Sequence, residues 1–162
     1  MKASFLSRRT VLLSAVGALA GAAAIGSATG IFSPNAKPVA NRGKVTLYKN
    51  PECECCEGYA DYLRHNGFEV KVIRTNDLTL MGEKYGISDS LQPCHLSLIG
   101  GYVVGGHIAI EVINRLLSEK PRIAGITLPG MPTGTPGMPG EKPGPLTIYE
   151  IGQRPPKHYA VV

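Results

Sequence analysis

The 162-residue sequence has no tryptophan, only four cysteines and only 18% charged residues. Few charges, a formal net charge of +5 and 43% apolar content exclude the composition that keeps a chain disordered. The 20 glycines and 13 prolines lack the strict period of a collagen-like chain. At this length one compact domain is expected, and two independent cores are not. Acidic residues are missing from 1–36, which carries Lys2, Arg8 and Arg9; the remainder has 14 basic residues against 12 acidic. That dispersed, near-neutral balance excludes phosphate-backbone binding, so no nucleic-acid partner is expected.

The first 36 residues read as an address. A basic stretch from Met1 to Arg9 precedes an uncharged Ala/Gly-rich run from Thr10 to Phe32, the pattern of a secretory signal. In Ser7-Arg8-Arg9-Thr10-Val11-Leu12-Leu13, two arginines stand directly before the apolar segment, which resembles a twin-arginine export signal. Cleavage is expected between Ala24 and Ala40. The alternative is a retained anchor, because a span needs about 20 residues. Either way the folded part is expected in the periplasm, where thiols meet oxidants, with membrane contact only through the N-terminal segment if it is retained.

After a polar linker at 37–43, Lys44 to Lys49 alternates as a strand does. Tyr59, Tyr62 and Leu63 share one face of a helix over Cys56 to Asn66 that Gly67 is placed to end. Phe68 to Ile73 reads as a second strand. Asp77 is placed to cap a short helix through Tyr85. His95 to Ile99 and Tyr102 to Val104 flank Gly100-Gly101, a hairpin signal. Ile110, Ile113, Leu116 and Leu117 then mark a helix over Ala109 to Lys120, stopped by Pro121. Strand, helix, strand, helix, hairpin, helix predicts a small α/β sheet with helices packed on it.

Between Pro129 and Pro145, 11 of 17 residues are Pro or Gly. The tract holds a near-repeat, Pro129-Gly130-Met131-Pro132 and Pro136-Gly137-Met138-Pro139. Such a segment builds no core of its own. A strand at Leu146 to Ile151 follows it, so the tract is expected to wrap over the domain as a loop fixed at both ends. Gln153 to Val162 reads as a flexible tail.

The cysteines carry the chemistry. Cys53, Cys55 and Cys56 lie within Pro51-Glu52-Cys53-Glu54-Cys55-Cys56, and Cys94 adjoins His95. Cys53 and Cys56 form a C-x-x-C between a strand and a helix start, where unpaired N–H groups and the helix dipole favour thiolates, the thioredoxin-like redox arrangement. The segment from His95 to Gly106 resembles the glutaredoxin-type strand, glycine turn and double glycine. That likeness puts His95 where the fold has its cis-proline and implies that Cys94 and His95 lie beside Cys53 and Cys56.

An extra Cys55, and His in the proline position, depart from the oxidoreductase pattern. Together with Cys94-His95, Gly101-Tyr102-Val103-Val104-Gly105-Gly106-His107, Pro129-Gly130-Met131-Pro132 and Gly137-Met138, these departures resemble the periplasmic copper-resistance proteins of the CopG type. The likeness covers residues 44 to about 151. It implies an α/β thioredoxin-like (glutaredoxin-like) fold over 44–152, a mixed sheet flanked by helices with a Pro/Gly/Met-rich loop before a last strand. It further implies copper bound by the cysteines, a redox role in copper handling, and other periplasmic copper-handling proteins as partners.

The donor types agree with that metal. Thiolates select soft ions such as Cu(I), with Zn(II) the main competitor. Adjacent residues on a helix diverge by about 100°, so Cys55 and Cys56 are expected to point apart and bridge several ions in a polynuclear site. The expected ligands are Cys53, Cys55, Cys56, Cys94 and His95, with His107, Met131 and Met138 as further candidates; Cys53 and Cys56 are the redox pair if the protein turns over. Two other readings stay open. One is a metal-independent thiol-disulfide oxidoreductase, and the other a structural set pairing Cys53 with Cys56 and Cys55 with Cys94. Glu52, Glu54 and Glu57 read as a solvated helix start, and His65 and His158 as structural or solvated. Met131 and Met138 read more simply as loop residues packed back onto the domain, and Tyr59, Tyr62 and Tyr102 as sheet and helix packing.

Overall fold

A computed structural model describes residues 41–162. The export signal and the first residues of the linker lie outside that range. No helix among the described residues is long and apolar enough to cross a membrane.

Strand β1 (Lys44–Lys49) alternates as its sequence predicts, with Val45, Leu47 and Lys49 turned inward. Helix α1 (Glu54–His65) returns the chain to β2 (Glu69–Arg74), which pairs parallel to β1. Next come α2 (Leu78–Lys84) and a single 3-10 turn at Asp89–Leu91. Asp77 stands before α2 but makes no capping hydrogen bond. The hairpin of β3 (His95–Ile99) and β4 (Tyr102–Gly105) turns at Gly100 and Gly101, whose φ of 56° and 90° suit the left-handed turn that matches strand twist. Helix α3 (Ile110–Glu119) ends before Pro121.

The seven-stranded sheet has the order β2-β1-β3-β4-β5-β6-β7, with β5 at Gly125–Thr127, β6 at Thr147–Glu150 and β7 at His158–Val161. It is mixed: β1 with β2 and β4 with β5 run parallel, and the other neighbours antiparallel. On one face, Leu47, Val104, Ile126 and Ile148 pack against Tyr59 and Leu63 of α1 and Ile113 and Leu116 of α3. On the other, Leu96, Val103 and Ile151 pack against Ile87 and Leu91. Val103 and Val104 therefore serve opposite faces, as strand periodicity requires.

Two expectations are corrected, and one strand goes unforeseen. Helix α1 begins at Glu54, earlier than Cys56, with Cys53 at its N-cap. Strand β5 escapes the sequence because three residues are too few to show alternation. The end of the chain is not a free tail: β7 pairs with β6, matching Thr147 with Val161 and Ile148 with Ala160. Tyr159 there packs against the core, with the Arg115 guanidinium 5.0 Å from its ring centre.

Candidate metal centre

The cysteine loop is held from below. Lys49 continues the inward face of β1 and is only 2% exposed. Its Nζ lies 3.2 Å from Glu57 Oε1 and donates to the Pro51 carbonyl at 3.2 Å. Arg74 reaches the same Glu57 oxygen at 3.2 Å. Glu57 is thus an anchor of the loop and not a solvated acid like the exposed Glu52 and Glu54. The Cys53 N–H donates to the Asn50 carbonyl, which sets the turn into α1.

All four cysteine sulfurs lie within 4.8 Å of one another. Cys53 and Cys56 are joined as a disulfide, and Cys55 and Cys94 are free thiols. Cys55 Sγ is 3.3 Å from Cys53 Sγ and 3.8 Å from the thioether of Met131. The expected divergence of Cys55 and Cys56 is corrected: both occupy the first turn of α1, yet their sulfurs lie within 4.8 Å of each other and of that of Cys94. The reason is that Cys56 turns back to its disulfide with Cys53, while the Cys55 sulfur lies 3.3 Å from that of Cys53.

A second group forms around Cys94, whose sulfur lies 3.2 Å from His95 Nδ1 and 3.2 Å from His107 Nε2. Tyr59 is buried against both imidazoles, its ring centre 4.5 Å from that of His95 and 5.4 Å from that of His107. Its hydroxyl donates to the Ile108 carbonyl at 2.9 Å. Met131 borders an open groove of about 580 Å³ with Cys53, Cys55 and Cys94. Met138 lines a second, largely apolar cavity with His107, Ile108 and Leu128. His65 bonds the Asp61 carbonyl in its own helix, and His158 packs on Tyr149. Neither belongs to the cluster.

Burial, reinforced by the neighbouring Cys55, pushes the Cys94 thiol up to about 12. Burial and then His107 push His95 down to about 3, and burial lowers His107 as well. At neutral pH the cluster therefore holds a protonated thiol between neutral imidazoles. Such a thiol is a poor free nucleophile, whereas a soft metal ion that displaces its proton finds sulfur and nitrogen lone pairs in place.

The His95 shift fixes a pH dependence. Between about pH 3 and 6.5 the unfolded chain binds a proton that folded His95 refuses, so stability falls as pH drops through that window. Urea unfolding of the reduced, metal-free chain is expected to show a loss of about 2 kcal/mol from about pH 7 to about pH 5. His107 adds to the loss, and it shrinks in His95→Gln. An equal loss in that variant would refute the assignment to His95.

Sequence reasoning missed the Lys49 anchor, although strand alternation already turns that residue inward. It also missed the Pro136 carbonyl, which lies 2.7 Å from His107 Nδ1. A backbone acceptor leaves no mark in composition.

Residues 91–138 match the family described as "Protein of unknown function, DUF411". That stretch holds Cys94, His95 and His107 but not the Cys53 to Cys56 motif. No curated protein matches the chain. Two solved structures do. "Copper resistance protein copG- Form 1" is 26% identical, covering 74% of this chain and 96% of that chain with a TM-score of 0.66. "Copper resistance protein copG- Form 2" is 28% identical, covering 74% and 97% with a TM-score of 0.66.

Proposed function

The chain belongs to the CopG-type family, and from that premise we propose that it binds copper as Cu(I) in the periplasm, as part of copper resistance. The observation that carries this reading is the convergence of four cysteine sulfurs from two separate segments, one of them shared with two imidazoles. Three kinds of donor meet there, thiolate, thioether and imidazole, and the set suits a soft ion. The scaffold is thioredoxin-like: the parallel β1-α1-β2 unit, the β3-β4 hairpin and α3 support that reading.

Holding the metal requires reduction of the Cys53–Cys56 disulfide. A dithiol reductant supplies two electrons and two protons, becoming a disulfide itself and leaving two protein thiols. Each thiol releases its proton when it ligates. Cys94 is placed to serve both ligand groups, and a thiolate shared in this way bridges ions. The site is thus polynuclear because Cys94 is shared, and not because Cys55 and Cys56 point apart. Export by the twin-arginine route and copper-handling partner proteins complete the proposal.

Elemental analysis of the reduced protein, purified anaerobically from copper-supplemented cells, tests it. Several coppers per chain are expected, falling sharply in Cys55→Ser. One copper per chain, unchanged in that variant, overturns the polynuclear site, and protein that takes up no copper overturns the metal reading.

A second reading rests on the disulfide at the start of α1. A metal-independent oxidoreductase using Cys53 and Cys56 would reduce insulin disulfides without copper and would tolerate loss of Cys55. The convergence of Cys55, Cys94 and two imidazoles on that pair, which a two-cysteine oxidoreductase does not need, favours metal binding.

A further inference from the structure

The Pro/Gly tract touches the site at two points, one for each half of its near-repeat. The first half delivers Met131 to Cys55. The second half begins inside a β-turn, Thr135-Pro136-Gly137-Met138, closed by the Met138 N–H on the Thr135 carbonyl at 2.8 Å. Pro at its second position and Gly at its third, with φ of 79°, are the type II pattern. The closing acceptor of a β-turn is the carbonyl of its first residue, here Thr135, which leaves the Pro136 carbonyl free, and the flipped central peptide of type II sets where that carbonyl points. It accepts from His107 Nδ1 at 2.7 Å.

Glycine is required at 137 for a second reason. A Cβ there would lie 2.6 Å from the backbone nitrogen of Tyr59 and 2.9 Å from the carbonyl carbon of Gly58. The turn is seated directly on helix α1, glycine against glycine, next to the residues that surround the imidazoles.

We infer that Pro136 and Gly137 are positioning residues of the metal centre: the type II turn aims a carbonyl at His107 Nδ1, fixes the proton there, and so presents the Nε2 lone pair to the ion shared with Cys94. A carbonyl only accepts, so Nδ1 must carry the hydrogen, and Nε2 faces Cys94 Sγ at 3.2 Å. A hydrogen-bonded partner behind a ligating imidazole is what orients it and fixes its tautomer. The role in metal binding rests on the copper reading above, whereas the tautomer does not.

The test reads the two separately. Proton–nitrogen correlation spectra of the isotope-labelled, reduced, metal-free full chain report the tautomer of His107. Wild type is expected in the single Nδ1–H form. Gly137→Ala, which favours the type I flip and cannot stay seated on α1, is expected to give mixed tautomers. Gly58→Ala is the milder variant, because its Cβ meets the Gly137 carbonyl at 3.3 Å within a helix that accepts alanine. It should shift His107 in the same direction by less. Gly140→Ala, at φ 99° but facing only Thr133, should leave His107 unchanged.

Competition against a chromophoric Cu(I) chelator should show affinity falling about tenfold to a hundredfold in Gly137→Ala. An Nε2–H tautomer in wild type, or a His107 unmoved in both Gly137→Ala and Gly58→Ala, overturns the inference. A His107 that follows the expected series in a protein that takes up no Cu(I) upholds the tautomer assignment and overturns the copper reading.

Discussion

Cys94→Ser is expected to weaken copper retention by about two orders of magnitude, about 2.8 kcal/mol, and to cost more than the loss of any other single cysteine. Cys94 alone stands in both groups of donors, the sulfur cluster and the Cys94-His95-His107 set. Serine keeps the size but replaces a soft donor with a hard one, so it removes a ligand from each group at once. Cys55→Ser removes a ligand from the first group only and leaves Met131 beside the vacated position. Chelator competition on the reduced proteins, in parallel with circular dichroism to show that each is folded, ranks the variants. Equal losses for Cys94→Ser and Cys55→Ser would mean that the imidazoles take no part and that the copper lies wholly among the cysteines.

The same geometry explains which features the sequence could disclose. Cys53, Cys55, Cys56 and Cys94 stood out because cysteine is scarce in this chain, and their meeting follows from β1 and β3 being neighbours, with Lys49 opposite His95. Periodicity found β1, α1, the hairpin and α3 because each is long or regular enough to show one buried face. Strand β5 is too short to show one, and β5 and β7 share a further reason. Their stability comes from partners distant in sequence, Val103 to Gly105 for one and Thr147 to Tyr149 for the other. Local pattern carries little of that information. The roles of Glu57 and Pro136 were hidden likewise, because one depends on a lysine beneath it and the other on a backbone oxygen.

The double glycine before His107 carries the last large effect. Gly106 has φ of 78°, and a Cβ on it would lie 2.3 Å from the Leu128 carbonyl oxygen. That oxygen belongs to the backbone, so it cannot swing aside as a side chain would. The Gly106 N–H also donates to the His95 carbonyl at 3.1 Å, and the Leu128 N–H donates to the Gly105 carbonyl at 2.9 Å. Gly106 is therefore clamped between the start of β3 and the end of β5, directly before a candidate ligand. Alanine there should cost about 1–2 kcal/mol for the left-handed backbone and about 1–3 kcal/mol for the forced separation.

Gly101→Ala supplies the comparison, since it has φ of 90° with nothing within 4 Å of the added Cβ. It should show the backbone cost alone. Urea midpoints should thus fall further for Gly106→Ala than for Gly101→Ala. Copper affinity should fall only for Gly106→Ala, because only there does the displaced backbone carry His107 away from Cys94. If the two variants matched in both measurements, the clamp on Gly106 would not be what holds His107 in place, and the burden would pass to its bond with Pro136.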